Sequence, residues 1–250
     1  MQASGLSHIG RRPNNEDSYR IEPELGLFLV ADGMGGYEGG EIASRLVVDT
    51  LTDFFARNRP DAEVSADESH DHDGDHTPPE QRMALAIRMA HREVQQEAKG
   101  RLREMGSTLA ALQSHGDKVL IAHVGDSRVY RLRKRRIERL TRDHSVVSDI
   151  ELTLGRPIHQ RSSHPMGTVV TRALGGGGDA RADVLFLDVA AQDRFLLCSD
   201  GLTDSIIESE LRPLLARGTP DEASDLLLEQ AVKNGARDNV TVIVVDVLRL

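Results

Sequence analysis

Tryptophan is absent from this 250-residue chain, aromatic residues make up 3% of it, and there is one cysteine, Cys198. A lone cysteine excludes an intrachain disulfide and a thiolate-rich zinc or iron–sulfur site. Without large aromatics, the core must be built from Leu, Val, Ile and Ala, and the chain is long enough to bury a sizeable one. No apolar run reaches the length of a membrane-spanning helix, and the opening "MQASGLSHIGRRPNNED" lacks the apolar segment of a secretory signal. These absences predict a reducing, cytoplasmic setting with no membrane association. The formal net charge of −9 argues against general affinity for nucleic acid or anionic lipid. Most of that charge is local, because residues 57–80 alone carry −6.

Alternation and β-branched residues predict strands at 26–31, 119–124, 128–132, 137–141, 184–189, 194–199 and 240–248. Helical periodicity marks 41–57, where Ile42, Leu46, Val47, Leu51, Phe54 and Phe55 share a broad face, and 80–99, striped by Met83, Ile87, Ala90 and Val94. A third helix spans about 220–234, opened by the capping box Thr219-Pro220-Asp221-Glu222 and stopped by Gly235. Between the first two helices, the acidic, His- and Pro-containing stretch at about 58–80 has no period and reads as a disordered loop. Residues 145–170 read as an irregular surface flap. No repeat and no second domain is evident, so 1–250 is expected to form a single α+β domain of antiparallel sheets flanked by helices.

One local pattern recurs. The apolar run Phe28-Leu29-Val30-Ala31 ends in Asp32-Gly33, and "RFLLCSDGL" likewise ends in Asp200-Gly201. Asp126 sits in a tight Gly-Asp-Ser-Arg turn between two strands, and Asp238 directly precedes another strand. In antiparallel sheets the end of one strand is level with the start of its neighbour, so these four aspartates can share one rim. Like charges so close must be offset, and a divalent cation does so best. With no His or Cys at these strand ends, the donors are oxygens, which favours Mg²⁺ or Mn²⁺ over zinc. Gly33, lacking Cβ, can turn its carbonyl toward such an ion. Near the N-terminus, Arg12 offers a planar fork to a phosphate and Glu16 adds another acidic oxygen. Each piece alone reads equally well as an ordinary turn, because Asp-Gly is a common turn dipeptide.

Taken in order, Arg12-Pro13-Asn14-Asn15-Glu16-Asp17, Ala31-Asp32-Gly33-Met34-Gly35-Gly36, Met105-Gly106-Ser107-Thr108, Gly125-Asp126-Ser127-Arg128, Ser199-Asp200-Gly201 and Arg237-Asp238-Asn239 resemble the bacterial members of the PPM family. These are metal-dependent serine/threonine protein phosphatases, also called the phosphatase 2C type. The resemblance runs from about residue 5 to 248. It implies a central β-sandwich of two antiparallel sheets with helices on both outer faces. It also implies that Asp32 bridges two Mn²⁺ or Mg²⁺ ions, that Asp200 and Asp238 complete the first site, and that the Gly33 carbonyl and Glu16, the latter through water, belong to the second. Asp126 matches the place of a third, weaker ion, shared with Asp200. Arg12 matches the phosphate-gripping arginine, and Asp17 and Asn239 support the ligands.

The chemistry so implied is in-line attack on phosphorus by a metal-activated water, with no phosphoenzyme, on phosphoserine and phosphothreonine in proteins. The expected partners are phosphorylated proteins, namely the substrates of a bacterial Ser/Thr kinase and the kinase itself, met by a monomeric signalling enzyme. The alternative is a phosphatase-like module that binds phosphoproteins with little turnover. Met34 stands where eukaryotic relatives carry a histidine, which leaves His144 and His164 as candidates to protonate the leaving group. Asp149 and Glu151 of the flap are open as further ligands. The "HDHDGDH" segment, residues 70–76, reads as metal-binding or as solvated loop. The basic stretch 131–139 reads as a hairpin whose turn is a solvated surface or a docking patch for an acidic or phosphorylated partner.

Overall fold

The computed structural model describes residues 1–35, 39–58, 78–156, 158, 164–176 and 180–248. The His/Asp segment and nearly all of the acidic loop lie outside these, as does Gly36. The first sheet has five strands, β1 (Gln2–His8), β7 (Arg128–Arg133), β8 (Arg136–Arg139), β11 (Arg194–Cys198) and β12 (Val240–Asp246), ordered β1-β12-β11-β7-β8. The second has β2 (Asp17–Glu22), β3 (Leu27–Met34), β4 (Gly106–Ser107), β5 (Leu109–His115), β6 (Lys118–Val124), β9 (Leu174–Gly175) and β10 (Asp183–Asp188). Its order is β10-β6-β5-β3-β4-β9, with β2 on the other side of β3. Every pairing is antiparallel.

Strand parity builds the layers. Leu27, Leu29 and Ala31 of β3 face outward onto α1 (Gly39–Arg57) and α2 (Pro78–Glu97), whereas Phe28 and Val30 face inward. The inward set meets Val129, Phe195, Leu197, Ile243 and Val245 of the other sheet. On that sheet's outer face, Tyr130, Leu196, Cys198 and Val242 pack against α4 (Asp200–Ser205), α5 (Glu208–Leu215) and α6 (Pro220–Lys233). The result is the expected four-layer sandwich. Because side chains alternate along a strand, Asp32 falls on the inward parity of Phe28 and Val30. It therefore ends the inter-sheet face of β3 rather than its helix face.

The expected strands and helices are present within a few residues of their bounds. Besides the two-residue strands β4 and β9, three strands lacked a readable signal. β1, QASGLSH, and β2, DSYRIE, are half-exposed and carry few apolar residues, and β5, LAALQSH, is buried on both faces through its first five residues and so does not alternate. α5 carries Pro213 in its interior, which masks helical periodicity. The stretch expected to be an irregular flap begins with α3 (Val146–Leu154), capped by the Ser145 side chain and ended by Gly155 in the left-handed region. The basic hairpin forms as expected, with Lys134 and Arg135 at positive φ in its turn. Three of its arginines are engaged within the fold, however: Arg131 pairs with Glu138, Arg133 with Asp193 and Arg139 with Asp143. Among the described residues, no helix is long and apolar enough to cross a membrane.

β11 and β12 carry Asp200 and Asp238 at their site ends, and one buried ion pair ties their far ends together. Arg194 donates from Nε and Nη2 to both carboxylate oxygens of Asp246, at 2.5 and 2.6 Å. It also donates to the carbonyls of Leu215, Arg217 and Gly218 after α5. Truncating one partner of such a pair costs about 3–5 kcal/mol, because the other charge is left buried and unpaired. Arg194→Ala should therefore lower the thermal midpoint by about 10 °C. Adding Asp246→Ala in the same chain should recover part of the loss, as read by calorimetric unfolding.

Candidate metal centre

The inter-sheet rim opens into a cavity of about 590 Å³ lined by Arg12, Glu16, Asp32, Gly33, Asp126, Asp200, Asp238 and Asn239, together with Met34, Thr108 and the flap residues Thr168 and Val170. Carboxylates from four distant segments thus converge where strand parity and turn geometry aim them. Asp32 is also the register partner of Asp17 across the β2–β3 ladder, which brings one more acid against it.

Hydrogen bonds to other segments hold Asp32, the Glu16 loop and Asp17. The Asp32 amide donates to Thr108 Oγ1 at 3.0 Å, and its carbonyl accepts from the Thr108 amide at 2.8 Å. Thr108 Oγ1 lies 2.7 Å from Ser127 Oγ, tying Asp32 to the turn that carries Asp126. Asn239 spends its whole amide on the N-terminal loop. Its Nδ2 donates to the carbonyls of Ile9 and Asn14, and its Oδ1 accepts from the Glu16 amide at 2.8 Å. Asp17 is buried, and its Oδ2 accepts from Ser199 Oγ and Thr241 Oγ1 at 2.8 and 2.7 Å. Gly33 and Gly40 permit a close approach of β3, α1 and the Glu16 loop. A Cβ on Gly33 would stand 2.0 Å from the Gly40 carbonyl oxygen, and one on Gly40 would stand 2.4 Å from Glu16 Oε2. The Thr108, Ser199 and Thr241 contacts were not assigned from the sequence, since Ser and Thr in strands give no distinguishing pattern.

The charge balance of the cavity is the test of whether divalent ions fit. Burial pushes the Asp32 carboxyl well above the usual range, and Asp17, Asp200, Asp126 and Asp238 push it further. Burial does the same to Asp200, reinforced by Asp126, Asp204, Asp238 and Asp17. Asp17 is pushed up to about 6, chiefly by burial. Oδ1 of Asp17 and Oδ1 of Asp200 are buried without a hydrogen-bond partner. Among the described residues lining the cavity the one cationic side chain is Arg12, whose Nη2 donates to Asp238 Oδ2 at 2.6 Å. Crowded acids, orphaned buried oxygens and an all-oxygen donor set fit hard divalent cations such as Mn²⁺ and Mg²⁺.

A second cluster of possible ligands, His123, His144 and Asp183, brings three donor atoms within 4.8 Å of one another. It does not suit a cation. The Arg172 guanidinium already holds Asp183 Oδ1 at 2.8 Å and lies 3.1 Å from His144 Nε2. The same geometry removes His144 as a proton donor to a leaving group. His144 is buried, its Nδ1 accepts from the Gly125 amide at 3.1 Å, and its Nε2 faces Asp183 Oδ2 at 3.3 Å. His164 and the flap acids Asp149 and Glu151 do not line the cavity. Asp149 accepts instead from Arg142, and Glu151 from the Ile158 amide.

Known proteins share this sequence pattern and fold. The protein phosphatase 2C family profile matches residues 4–230. The chain belongs to that family. It is 32% identical over 253 residues to the serine/threonine phosphatase stp of Listeria monocytogenes serotype 4b, covering 98% of this chain and 96% of that one. It is 34% identical over 240 residues to the serine/threonine protein phosphatase PstP of Mycobacterium tuberculosis, covering 95% of this chain and 43% of that longer one. Among solved structures, PppA of Pseudomonas aeruginosa superposes with a TM-score of 0.79 at 35% identity, covering 97% of this chain and 96% of the other. The catalytic domain of the phosphatase PstP, solved with two manganese ions, superposes with a TM-score of 0.81 at 31% identity, covering 99% and 98% of the two chains.

The raised carboxyls make a pH prediction. A carboxyl whose folded pKa lies above its unfolded value binds more protons in the native state, so its penalty grows as pH rises from the unfolded value and is complete above the folded one. In chelator-treated protein, Asp32→Asn should therefore raise the thermal midpoint at pH 8 by at least about 2 °C, roughly 1 kcal/mol in a chain of this size. The gain should vanish toward pH 4. An equal gain at both pH values, by differential scanning fluorimetry, would contradict the charge-crowding account.

Proposed function

We propose that this chain is a single catalytic domain that hydrolyses phosphoserine and phosphothreonine in proteins with the help of Mn²⁺ or Mg²⁺. The observation that carries the reading is the gathering of Asp32, Asp126, Asp200 and Asp238, from segments up to two hundred residues apart, around one cavity with Arg12 at its mouth. A pure phosphoprotein-binding module has no need to crowd buried acids so expensively.

In this reading Asp32, Asp200 and Asp238 hold one ion, Asp32, the Gly33 carbonyl and Glu16 a second, and Asp126 with Asp200 a third, weaker one. Bound there, such ions neutralise the acids, polarise phosphoryl oxygens and acidify water at neutral pH. Arg12 lies largely exposed and presents its planar fork to the phosphate of an incoming side chain. Before ions bind, its bond to Asp238 keeps the guanidinium at the mouth of the cavity. Thr108, Asn239 and Asp17 keep the acids in place so that little reorganisation accompanies the reaction. No described residue lining the cavity is a histidine, so the proton for the leaving serine or threonine alkoxide comes from solvent in the open mouth. Cys198 plays no part, since burial pushes its thiol up to about 12.

Phosphorylated proteins are the substrate class, and we place the enzyme opposite a bacterial Ser/Thr kinase, which it also dephosphorylates, as a cytoplasmic monomer. Turnover of a phosphothreonine peptide should require Mn²⁺ and disappear with chelator. Asp32→Asn and Asp200→Asn should each lose at least about a thousandfold in kcat, the scale of removing a key electrostatic contact. Arg12→Ala should raise KM for the phosphopeptide more than it lowers kcat. Undiminished turnover in Asp32→Asn, or in chelator, would overturn the reading.

A further inference from the structure

We propose that His144 is a positioning residue: it clamps the Gly125–Asp126 turn to the returning end of the flap and so sets the affinity of the Asp126 carboxylate for a divalent cation. The inference rests on the reading of Asp126 as a ligand of the weaker ion.

Three hydrogen bonds place His144 between two parts of the cavity wall. Its backbone amide donates to the Gly125 carbonyl at 2.9 Å, and its Nδ1 accepts from the Gly125 amide at 3.1 Å. Its own carbonyl accepts from the Thr171 amide at 2.9 Å. Thr171 follows Val170, which lines the cavity and bridges to Ser145 at the start of the flap. Both polar groups of the Gly125 backbone are thereby committed to one residue, and the next residue is Asp126.

Thr108 braces the turn from the other side, through Ser127 Oγ at 2.7 Å. Gly125 has a φ of +94°, and a Cβ there would lie 2.6 Å from Thr108 Cγ2, so its backbone is pressed against the same threonine that holds Asp32. Gly125 is buried, and an amide left without its acceptor at such a place costs about 1–3 kcal/mol. Losing the His144 ring would be relieved most directly by rotation of the turn, which would carry Asp126 with it.

The tautomer follows from the contacts. Nδ1 accepts from an amide, so the ring proton sits on Nε2, where it points at Asp183 Oδ2. The nearby Arg172 Nη1 therefore bonds Asp183, and its 3.1 Å approach to Nε2 is a packing contact between two hydrogen-bearing nitrogens. Asp183 and Arg172 form the outer brace. On the ring's face, His123 stacks at 4.5 Å and 16° and is itself held to the Arg142 carbonyl. His144 thus has a fixed ring plane, a fixed tautomer and one free lone pair, which the Gly125 amide occupies.

The test uses the full chain, stripped of metal, with Mn²⁺ as the titrant. Calorimetry reads binding, hydrogen exchange resolved to single amides reads Gly125, and thermal unfolding checks the fold. Asp126→Ala should abolish the weaker Mn²⁺ event. His144→Gln, whose oxygen reaches to the Nε2 place rather than Nδ1, should weaken that event about tenfold, the equivalent of one hydrogen bond. It should spare the tighter events and speed Gly125 exchange by a similar factor. His144→Phe should match it if it folds. His144→Asn, whose oxygen falls near the Nδ1 place, should restore both readouts to within about threefold of wild type. Loss of the weaker event in Asp126→Ala with its retention in His144→Gln would overturn the positioning role and leave the metal reading standing. Wild-type Mn²⁺ binding in Asp126→Ala would overturn both, whereas a failure of Asn to outperform Gln while both fold would overturn the positioning role alone.

Discussion

Unit charges about 4 Å apart repel by several kcal/mol in a poorly solvated setting, and the sandwich rim brings together more carboxylates than one such repulsion. Asp32 lies opposite Asp17 in the ladder, and Asp126, Asp200 and Asp238 add to the same field. Nothing in hydrophobic burial favours this grouping. It exists because β3, β11 and β12 are locked by their apolar inner and outer faces, and the acids stand at the ends of those locked elements. The same rigidity keeps the acids from splaying apart, which a looser scaffold would allow, so with its acids ionised the protein stores an electrostatic strain that bound cations or protons relieve.

Relief couples binding to stability. Any ion that binds the folded rim and not the unfolded chain adds its binding free energy to folding, so occupancy and fold reinforce one another. The far end of the sandwich compensates in a different way. There the buried Arg194–Asp246 pair and the surrounding carbonyls are mutually satisfied, in contrast to the orphaned oxygens of Asp17 and Asp200 at the site. One end of the β11–β12 pair is complete as protein, and the other is complete only with its ions. That division matches the demand on the site, where groups must be ready to interact with something not yet present.

The legible parts of this arrangement were those carried by strong local signals. Apolar runs leading into Asp-Gly at Asp32 and Asp200 advertise buried strands, although β3 runs on through Asp32 to Met34, and the Thr219–Glu222 box marks its helix without help from tertiary structure. β1 and β2 were not legible because half-exposed edge positions admit Gln, Ser and Arg, so the alternation fades. β5 was hidden for the opposite reason, since burial on both faces removes alternation. At the site, the acids were readable as residue types at strand ends, whereas their supports were not. Thr108, Ser199 and Thr241 act through single hydroxyls whose partners lie 76, 182 and 224 residues away. His144 reads in sequence as a candidate proton donor and proves to be buried with both ring nitrogens engaged, a distinction that only packing can make.

Arg12 connects the electrostatics to the order of events. In the folded chain its guanidinium bonds Asp238, which lies among the acids expected to hold an ion. One carboxylate oxygen cannot fully serve an arginine and a divalent cation together, because each attraction draws on the same lone-pair density and the two cations repel. In the ligand set proposed above, an ion at Asp238 would loosen Arg12, and a phosphate with its own negative oxygens would be the natural next partner for the released fork. On that ligand set the same residue would report on both steps, paired inward when the acids lack a counterion and turned to substrate when they have one. Substrate grip is thereby made dependent on a charged site, and a cavity without ions would hold a phosphoprotein only weakly against the repulsion of its own acids.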